Sequence, residues 1–357
     1  MLRKEALLTE AVTHFVVDFA CFFLLSGTFA SVAEGRSAVL GAGYLIFLIL
    51  AYGIRPFVGA VLDEYPRFHS QSVGCLLVGI ACLLPPSAGW IALFSAAVGS
   101  GLFHVGIGGE SLAFARGFFA RSASVLSTGA LGTVLGSAAA KTDLPSWFCS
   151  IAVGVAALAC FLFSESRKYP RKIRAFRHSV SPFVPPRAAF LLTLFPVVAA
   201  SMTVGFLPTE RTDGFWRYLP AIAVFLGRIL GGVFADRFGP RKTAAVSFLG
   251  ATVCLTVFTH VPWLYCVGLA FISAPVSVTL GAGVASLPSR PHFSFGVWSF
   301  ALLMGTVPAF FRGAVTPAVR VSAAVLLLCS VVLSLFLYTD HCKTLSFSLR
   351  REKGDSR

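Results

Sequence analysis

Glu10, His14 and Asp18 stand at four-residue intervals in the first apolar run of the chain. On a helix this spacing puts all three on one face. A rise of about 1.5 Å per residue carries Asp18, the deepest carboxylate in the sequence, to the middle of a membrane-length segment, with His14 about a turn nearer its start. An ionisable side chain at that depth is costly unless it meets a partner or a cavity, so a functional role is the default expectation. A carboxylate beside an imidazole suits proton exchange or the binding of a polar substrate. The competing reading is a His14–Asp18 hydrogen bond that only packs helices.

A second candidate group lies in GLFHVGIGGESLAFAR, where His104 falls at roughly the depth of His14 and Glu110 lies nearer the inner end. Six residues apart, the two do not share a face of an ideal helix. Gly106, Gly108 and Gly109 would either break that helix or admit close approach of a neighbour. The alternative here is glycine-mediated packing around a hydrogen-bonded histidine. Trp298 is the one tryptophan placed inside an apolar run and is a candidate cavity-lining residue.

Two arginines complete the set. RPFVGAVLDEYPR, beginning at Arg55, aligns with RILGGVFADRFGPR, beginning at Arg228, so that Arg55 falls on Arg228, Gly59 on Gly232 and Asp63 on Asp236 at a constant offset of 173 residues. Each copy ends the second apolar run of its own half of the chain, which points to a tandem duplication. Arg55 and Arg228 sit about two turns from the inner end. They would bind an anionic group, pair with Asp18 or Glu110, or snorkel to the interface.

The elements that position these residues follow from composition. Of 357 residues, 56% are hydrophobic and 12% charged, against about 25% charged in ordinary soluble domains. Runs of about 20 apolar residues, each long enough to cross about 30 Å of hydrocarbon, recur along the chain. Helix is the form that satisfies their backbone in lipid. Cutting at Pro, Gly and charge clusters yields twelve expected transmembrane helices: residues 8–29, 38–62, 71–86, 89–113, 122–140, 146–164, 188–208, 216–235, 243–260, 263–287, 292–311 and 319–338. These give an all-α integral membrane protein of two six-helix, pseudo-symmetric halves. The N-terminal half is 1–164, a basic connection spans 165–187, the C-terminal half is 188–339, and a tail follows from 340 to 357.

The charge of +14 belongs to the connections, where it meets anionic lipid headgroups, so nucleic-acid binding is not expected. With the N-terminus cytoplasmic, 21 of the 29 Lys and Arg residues fall on the inner side, which matches the positive-inside rule and puts both termini in the cytoplasm of a plasma or inner membrane. Trp90, Trp147, Trp216 and Trp263 fall at outer ends as an interfacial belt, as does His260. Cys21, Cys75, Cys82, Cys149, Cys160, Cys254, Cys266 and Cys329 show no metal-ligand spacing and read as small buried hydrophobes. No metal or cofactor is expected. Pro196, Pro275 and Pro308 mark expected kinks.

Gly232, Asp236, Arg237, Gly239, Arg241 and Lys242 resemble the loop signature of the major facilitator superfamily. The first-half copy keeps Gly59, Asp63 and Arg67 but has Glu64 where a basic residue is usual. HFVVDF, GLFHVGIGGESLAFAR and SVLSTGALGTVLGSAAA are similar to the corresponding segments of the fosmidomycin-resistance family of drug exporters. Gly129, Gly132 and Gly136 resemble the antiporter signature of the fifth helix without its proline. The resemblance implies the major facilitator fold, a substrate site between the halves, and a cytoplasmic gate in which Asp63 sits against the eleventh helix and Asp236 against the fifth.

The expected function is therefore secondary active transport of a small organic molecule by alternating access, as proton-coupled efflux from a monomer, with proton-coupled uptake of an organic acid or nutrient as the rival. An intramembrane enzyme or a non-transporting receptor is the weaker alternative, because no nucleophile motif or metal spacing is present.

Overall fold

The computed structural model describes residues 3–65, 68–163, 180–206, 214–258, 261–311 and 316–340. Most of the basic connection at 165–187, His260 and the tail beyond residue 340 lie outside the described residues. Every described element of length is helical: α1 (Arg3–Leu24), α2 (Ala30–Ala33), α3 (Ser37–Gly53), α4 (Arg55–Glu64), α5 (Ser70–Leu83), α6 (Gly89–Ala115), α7 (Phe119–Ala139), α8 (Ser146–Phe163), α9 (Pro186–Phe206), α10 (Leu219–Phe238), α11 (Pro240–Thr252), α12 (Pro262–Ser273), α13 (Val276–Ser286), α14 (Pro291–Thr306) and α15 (Pro317–Leu337). A π-helical turn, Leu25–Phe29, joins α1 to α2 into one rod.

Proline and glycine set the boundaries. Prolines open α10, α11, α12, α14 and α15 within the first turn, where the missing N–H has no intrahelical partner to lose. Gly239, with φ of 98°, makes the turn from α10 into α11. Arg116 and Gly117, both at positive φ, turn the chain from α6 into α7. Pro275 separates α12 from α13, and Pro308 lies in a 3-10 segment after α14. Pro196 sits inside an uninterrupted α9.

Twelve membrane spans were the expectation; among the described residues, nine helical segments are long and apolar enough to cross a membrane. Each expected span coincides with helix, but α5, α7 and the α11 segment fall outside the nine. α5 has only 14 residues, and α7 carries Ser122, Ser124, Ser127, Thr128, Thr133 and Ser137 among its glycines. A helix buried among neighbours needs no apolar outer face, which is why its sequence departs from the span pattern.

Helices at the periphery show the opposite pattern. In α8, Cys149, Val153, Ala156, Ala157 and Cys160 point inward, while Ile151, Val155, Leu158, Phe161 and Leu162 are exposed. Apolar residues on both faces are what a helix between core and hydrocarbon requires. The chain is a multi-pass, all-α membrane protein. Cys329 belongs to this outer surface and is not buried, unlike the other seven cysteines named above.

Two cores form. One draws only on residues between Val17 and Cys160. The other joins residues from Ala189 to Tyr338 with Leu112, Ala115, Phe119 and Leu126 from the end of α6 and the start of α7. α7 therefore bridges the two. It lies backbone to backbone on α1, where a Cβ at Gly136 would collide with the Phe19 carbonyl. Gly136→Ala is expected to cost about 1–3 kcal/mol from overpacking. Gly154→Ala, inside α8 and facing open space, should be neutral or stabilising by up to about 1 kcal/mol. Thermal unfolding of the two variants in detergent checks the contrast.

Candidate functional site

His14, Asp18 and His104 converge. His14 Nε2 lies 3.4 Å from Asp18 Oδ2, and His104 Nε2 lies 3.2 Å from Asp18 Oδ1. The two rings meet edge to face at 5.0 Å between centroids. The other nitrogen of each ring is committed. His14 Nδ1–H donates to the Val125 carbonyl at 2.8 Å and His104 Nδ1–H to the Ser100 carbonyl at 2.7 Å. A carbonyl can only accept, so these bonds fix the tautomers and leave each neutral Nε2 with a lone pair. With both rings neutral, two lone pairs and a carboxylate then face one another, an arrangement that a proton or a cation placed between them relieves.

Backbone approach makes room for it. α6 is continuous from Gly89 to Ala115, so its glycines do not break the helix. They admit neighbours: a Cβ at Gly106 would meet Ser70 and Gln71, one at Gly108 the Phe295 ring, and one at Gly109 the His292 ring. On α7, Gly129 faces the triad, where a Cβ would overlap Asp18 Oδ2 and His14 Nε2.

Arg228 grips α7 from the other side. Its Nη1 donates to the Leu126 carbonyl at 2.7 Å, next to the carbonyl that holds His14. Arg55 is buried without an equivalent grip: its Nε donates to Ala51 of the preceding helix at 3.0 Å, and its guanidinium stacks 3.8 Å from the Tyr52 ring centroid. Neither arginine forms an ion pair with Asp18 among the described residues, and Arg55, at 3% exposure, does not snorkel. Glu10 and Glu110 line a small pocket with Thr9, Thr13 and Gln71. Both Glu10 oxygens there have no hydrogen-bond partner among the described residues. Trp298 is packed into the second core and donates to Thr279 Oγ1 at 3.0 Å.

Asp236, at the end of α10, accepts the Phe119 amide at 2.8 Å and the Ala120 amide at 2.9 Å, the first amides of α7. Asp63, at the end of α4, accepts the His292 amide at 3.1 Å and the Phe293 amide at 2.9 Å, the first turn of α14, and the His292 ring at 2.8 Å. Asp63 and Asp236, Phe119 and His292, and Ala120 and Phe293 are each 173 residues apart. Each carboxylate meets a helix N-terminus, where aligned dipoles favour negative charge by about 0.3–1 kcal/mol, more when partly buried. Gly59 and Gly232 let the backbones touch beside these contacts: a Cβ at Gly232 would sit 2.8 Å from Ala120 Cα, and one at Gly59 would strike the His292 carbonyl. Arg237 lies over the Phe238 ring at 5.5 Å, Arg241 is exposed, and Arg67 lies outside the described residues.

His292 and the carbonyls of Val125, Ser100 and Leu126 were not singled out from sequence. Applying the 173-residue offset to Phe119 would have found His292; a backbone acceptor has no sequence signature.

The fold has solved counterparts. A bacterial homologue of the iron transporter ferroportin, in an outward-facing state, matches with a TM-score of 0.63 at 15% identity, over 94% of this chain and 99% of that chain. FucP, the E. coli fucose:proton symporter and a major facilitator superfamily transporter, matches in two structures. Their TM-scores are 0.60 and 0.55 at 14% and 15% identity, over 91% and 90% of this chain and 98% of each, the second in the outward conformation. The chain has a major facilitator-like fold. The human organic anion transporter MFSD10 shares it, with a TM-score of 0.59 at 14% identity over 94% of this chain and 100% of that chain. No protein-family model matches the sequence, and no curated protein does. In this major facilitator-like frame, both Asp contacts lie at the same end of the bundle and hold α7 and α14.

Removing either carboxylate should loosen that end. Asp63→Ala and Asp236→Ala are each expected to cost about 1 kcal/mol. They should also raise the maleimide reactivity of a cysteine placed at Ala120 in a cysteine-free background. Unchanged reactivity in both variants would count against a latch.

Proposed function

We propose that this protein is a secondary active transporter working by alternating access between two six-helix halves, residues 1–164 and 188–339, joined by the basic connection at 165–187. The observation that carries the reading is the pair of Asp–helix contacts, repeated at one offset, each joining a helix of one half to a helix of the other. Such contacts are individually weak enough to break in every cycle. With both made, the gate formed by Gly59, Asp63, Arg67, Gly232, Asp236, Arg237 and Arg241 is shut. Positive-inside asymmetry puts that end, and both termini, in the cytoplasm. The ferroportin homologue and one FucP structure are outward-facing, which agrees with a closed inner side.

Asp18, His14 and His104 form the coupling centre. Their lone pairs gather protons when the site opens to the acidic side and surrender them when cargo or the pathway changes. Glu10 and Glu110, one to two turns nearer the cytoplasm, border the route by which protons leave. Arg55, Arg228 and Trp298 shape the space between the halves. The cargo is a small organic molecule and the direction is export, in keeping with the resemblance of HFVVDF and GLFHVGIGGESLAFAR to the fosmidomycin-resistance exporters. Proton-coupled uptake is the second reading, favoured by the match to FucP, which is a proton symporter. The protein works as a monomer among anionic lipids and performs no catalysis.

A toxicity screen of expressing cells names a cargo, and proteoliposomes with an imposed pH gradient then test the coupling. Asp18→Asn should abolish gradient-driven accumulation of that compound, while the wild type concentrates it. Wild-type accumulation by the variant removes Asp18 from the coupling role.

A further inference from the structure

The triad's geometry is also that of a metal site. Ligand atoms from His14, Asp18 and His104 all lie within 4.8 Å of one another. Two donors on one metal ion, each about 2.1 Å from it, are about 3.0 Å apart at an octahedral angle and about 3.4 Å apart at a tetrahedral one. The observed separations, 3.4 Å from His14 Nε2 to Asp18 Oδ2 and 3.2 Å from His104 Nε2 to Asp18 Oδ1, fall in that interval, one to each oxygen, so both carboxylate oxygens face the ion's position. Metal-bound histidines characteristically donate their second N–H to a backbone carbonyl or carboxylate, which fixes the ring and raises the basicity of the ligating nitrogen. Both rings do this, through Val125 and Ser100.

We propose that His14, Asp18 and His104 bind one divalent first-row transition-metal ion, coordinated by the two Nε2 atoms and the Asp18 carboxylate. Two imidazoles with one carboxylate select such ions over magnesium or calcium, which prefer all-oxygen sites. Three protein ligands leave positions for water, unlike the four-ligand closure of structural sites, so the ion can enter and leave. Gly129 contributes by presenting no side chain where one would cover Asp18 Oδ2 and His14 Nε2. The carboxylate retains access to the space around it, with 14% of its side chain exposed, while the rings are sealed to 6% and 10%. The inference rests on the reading of this triad as the cation-handling centre, and it names the class of cation.

The test is a Co²⁺ titration of the full, untagged chain in detergent, followed by visible d–d absorption and calorimetry. One Co²⁺ per chain is expected, displaced by Zn²⁺, with affinity at least about tenfold weaker in His104→Gln and in Asp18→Asn, by the loss of one ligand. His69→Gln, outside the cluster and packed against Phe161, should bind as the wild type does. Size-exclusion profiles and thermal unfolding verify that each variant is folded, and Co K-edge absorption on the wild type should show imidazole ligands. Absence of a Co²⁺ spectrum in the folded wild type, binding unchanged in both triad variants, or a bound ion without imidazole would overturn the proposal. Binding is read without a gradient. A chain that binds Co²⁺ at the triad but moves no cargo supports this site and contradicts the transport reading; proton-driven flux without Co²⁺ binding does the reverse.

Discussion

Two imidazole rings with their Nδ1–H groups tied to backbone carbonyls, both aimed at one carboxylate, impose the constraint around which the N-terminal core is arranged. Val125 anchors one ring from α7 and Ser100 anchors the other from within α6, so the three acceptors meet only if α1, α6 and α7 pack at a fixed depth and rotation. The glycines of these helices serve that requirement. Gly132 and Gly136 bring α7 onto the backbone of α1, and Gly129 leaves the space beside Asp18. In hydrocarbon an unrelieved cluster of acceptors is too costly to persist, so the occupancy of the triad by protons or a metal ion bears directly on how tightly these helices stay together.

α7 links this site to the end of the bundle where Asp236 and Asp63 make their contacts. Its first two amides are held by Asp236, the Val125 carbonyl holds His14, and the Leu126 carbonyl holds Arg228. The span from latch to triad is less than two helical turns. α10 thus clamps α7 at two points, one of them adjacent in sequence to the anchor of His14. A change in the charge of the triad that alters the His14–Val125 bond acts on the helix whose N-terminus is the latch. The duplicated latches and the triad are related differently to the repeat. At the 173-residue offset, Arg187, Leu191 and Ser277 stand where His14, Asp18 and His104 do, so the Asp–helix contact exists twice and the triad once. Arg55 and Arg228 occupy equivalent positions yet bond to different partners, one to its own neighbourhood and one across to α7.

Much of the fold was legible because Pro, Gly and charge clusters punctuate the chain wherever a helix ends; Pro220, Pro240, Pro262, Pro291 and Pro317 all open helices. α5, α7 and α11 depart from the pattern of the other spans for two reasons: α5 and α11 are short, at 14 and 13 residues, and still expose Leu76, Ile80, Val246 and Leu249, whereas α7 is rich in Ser, Thr and Gly. The one-face alignment of His14 with Asp18 was readable from spacing alone. His104 could be placed at the depth of His14 and grouped with it, but its direct contact with Asp18, 86 residues away in sequence, depends on packing. His292 was overlooked because attention fell on the acidic half of each latch, and the partners of Arg228 and of both histidines are backbone carbonyls, which carry no residue identity.

Magnetic resonance of ¹⁵N in the protein labelled only at histidine reads the two tautomers directly, with His14→Gln and His104→Gln providing the assignments. For His14 and His104 in their neutral state, the proton is expected on Nδ1 and a bare lone pair on Nε2. A neutral ring at either position carrying its proton on Nε2 would place a donor against Asp18, turn the triad into an ordinary hydrogen-bonded cluster, and contradict the account.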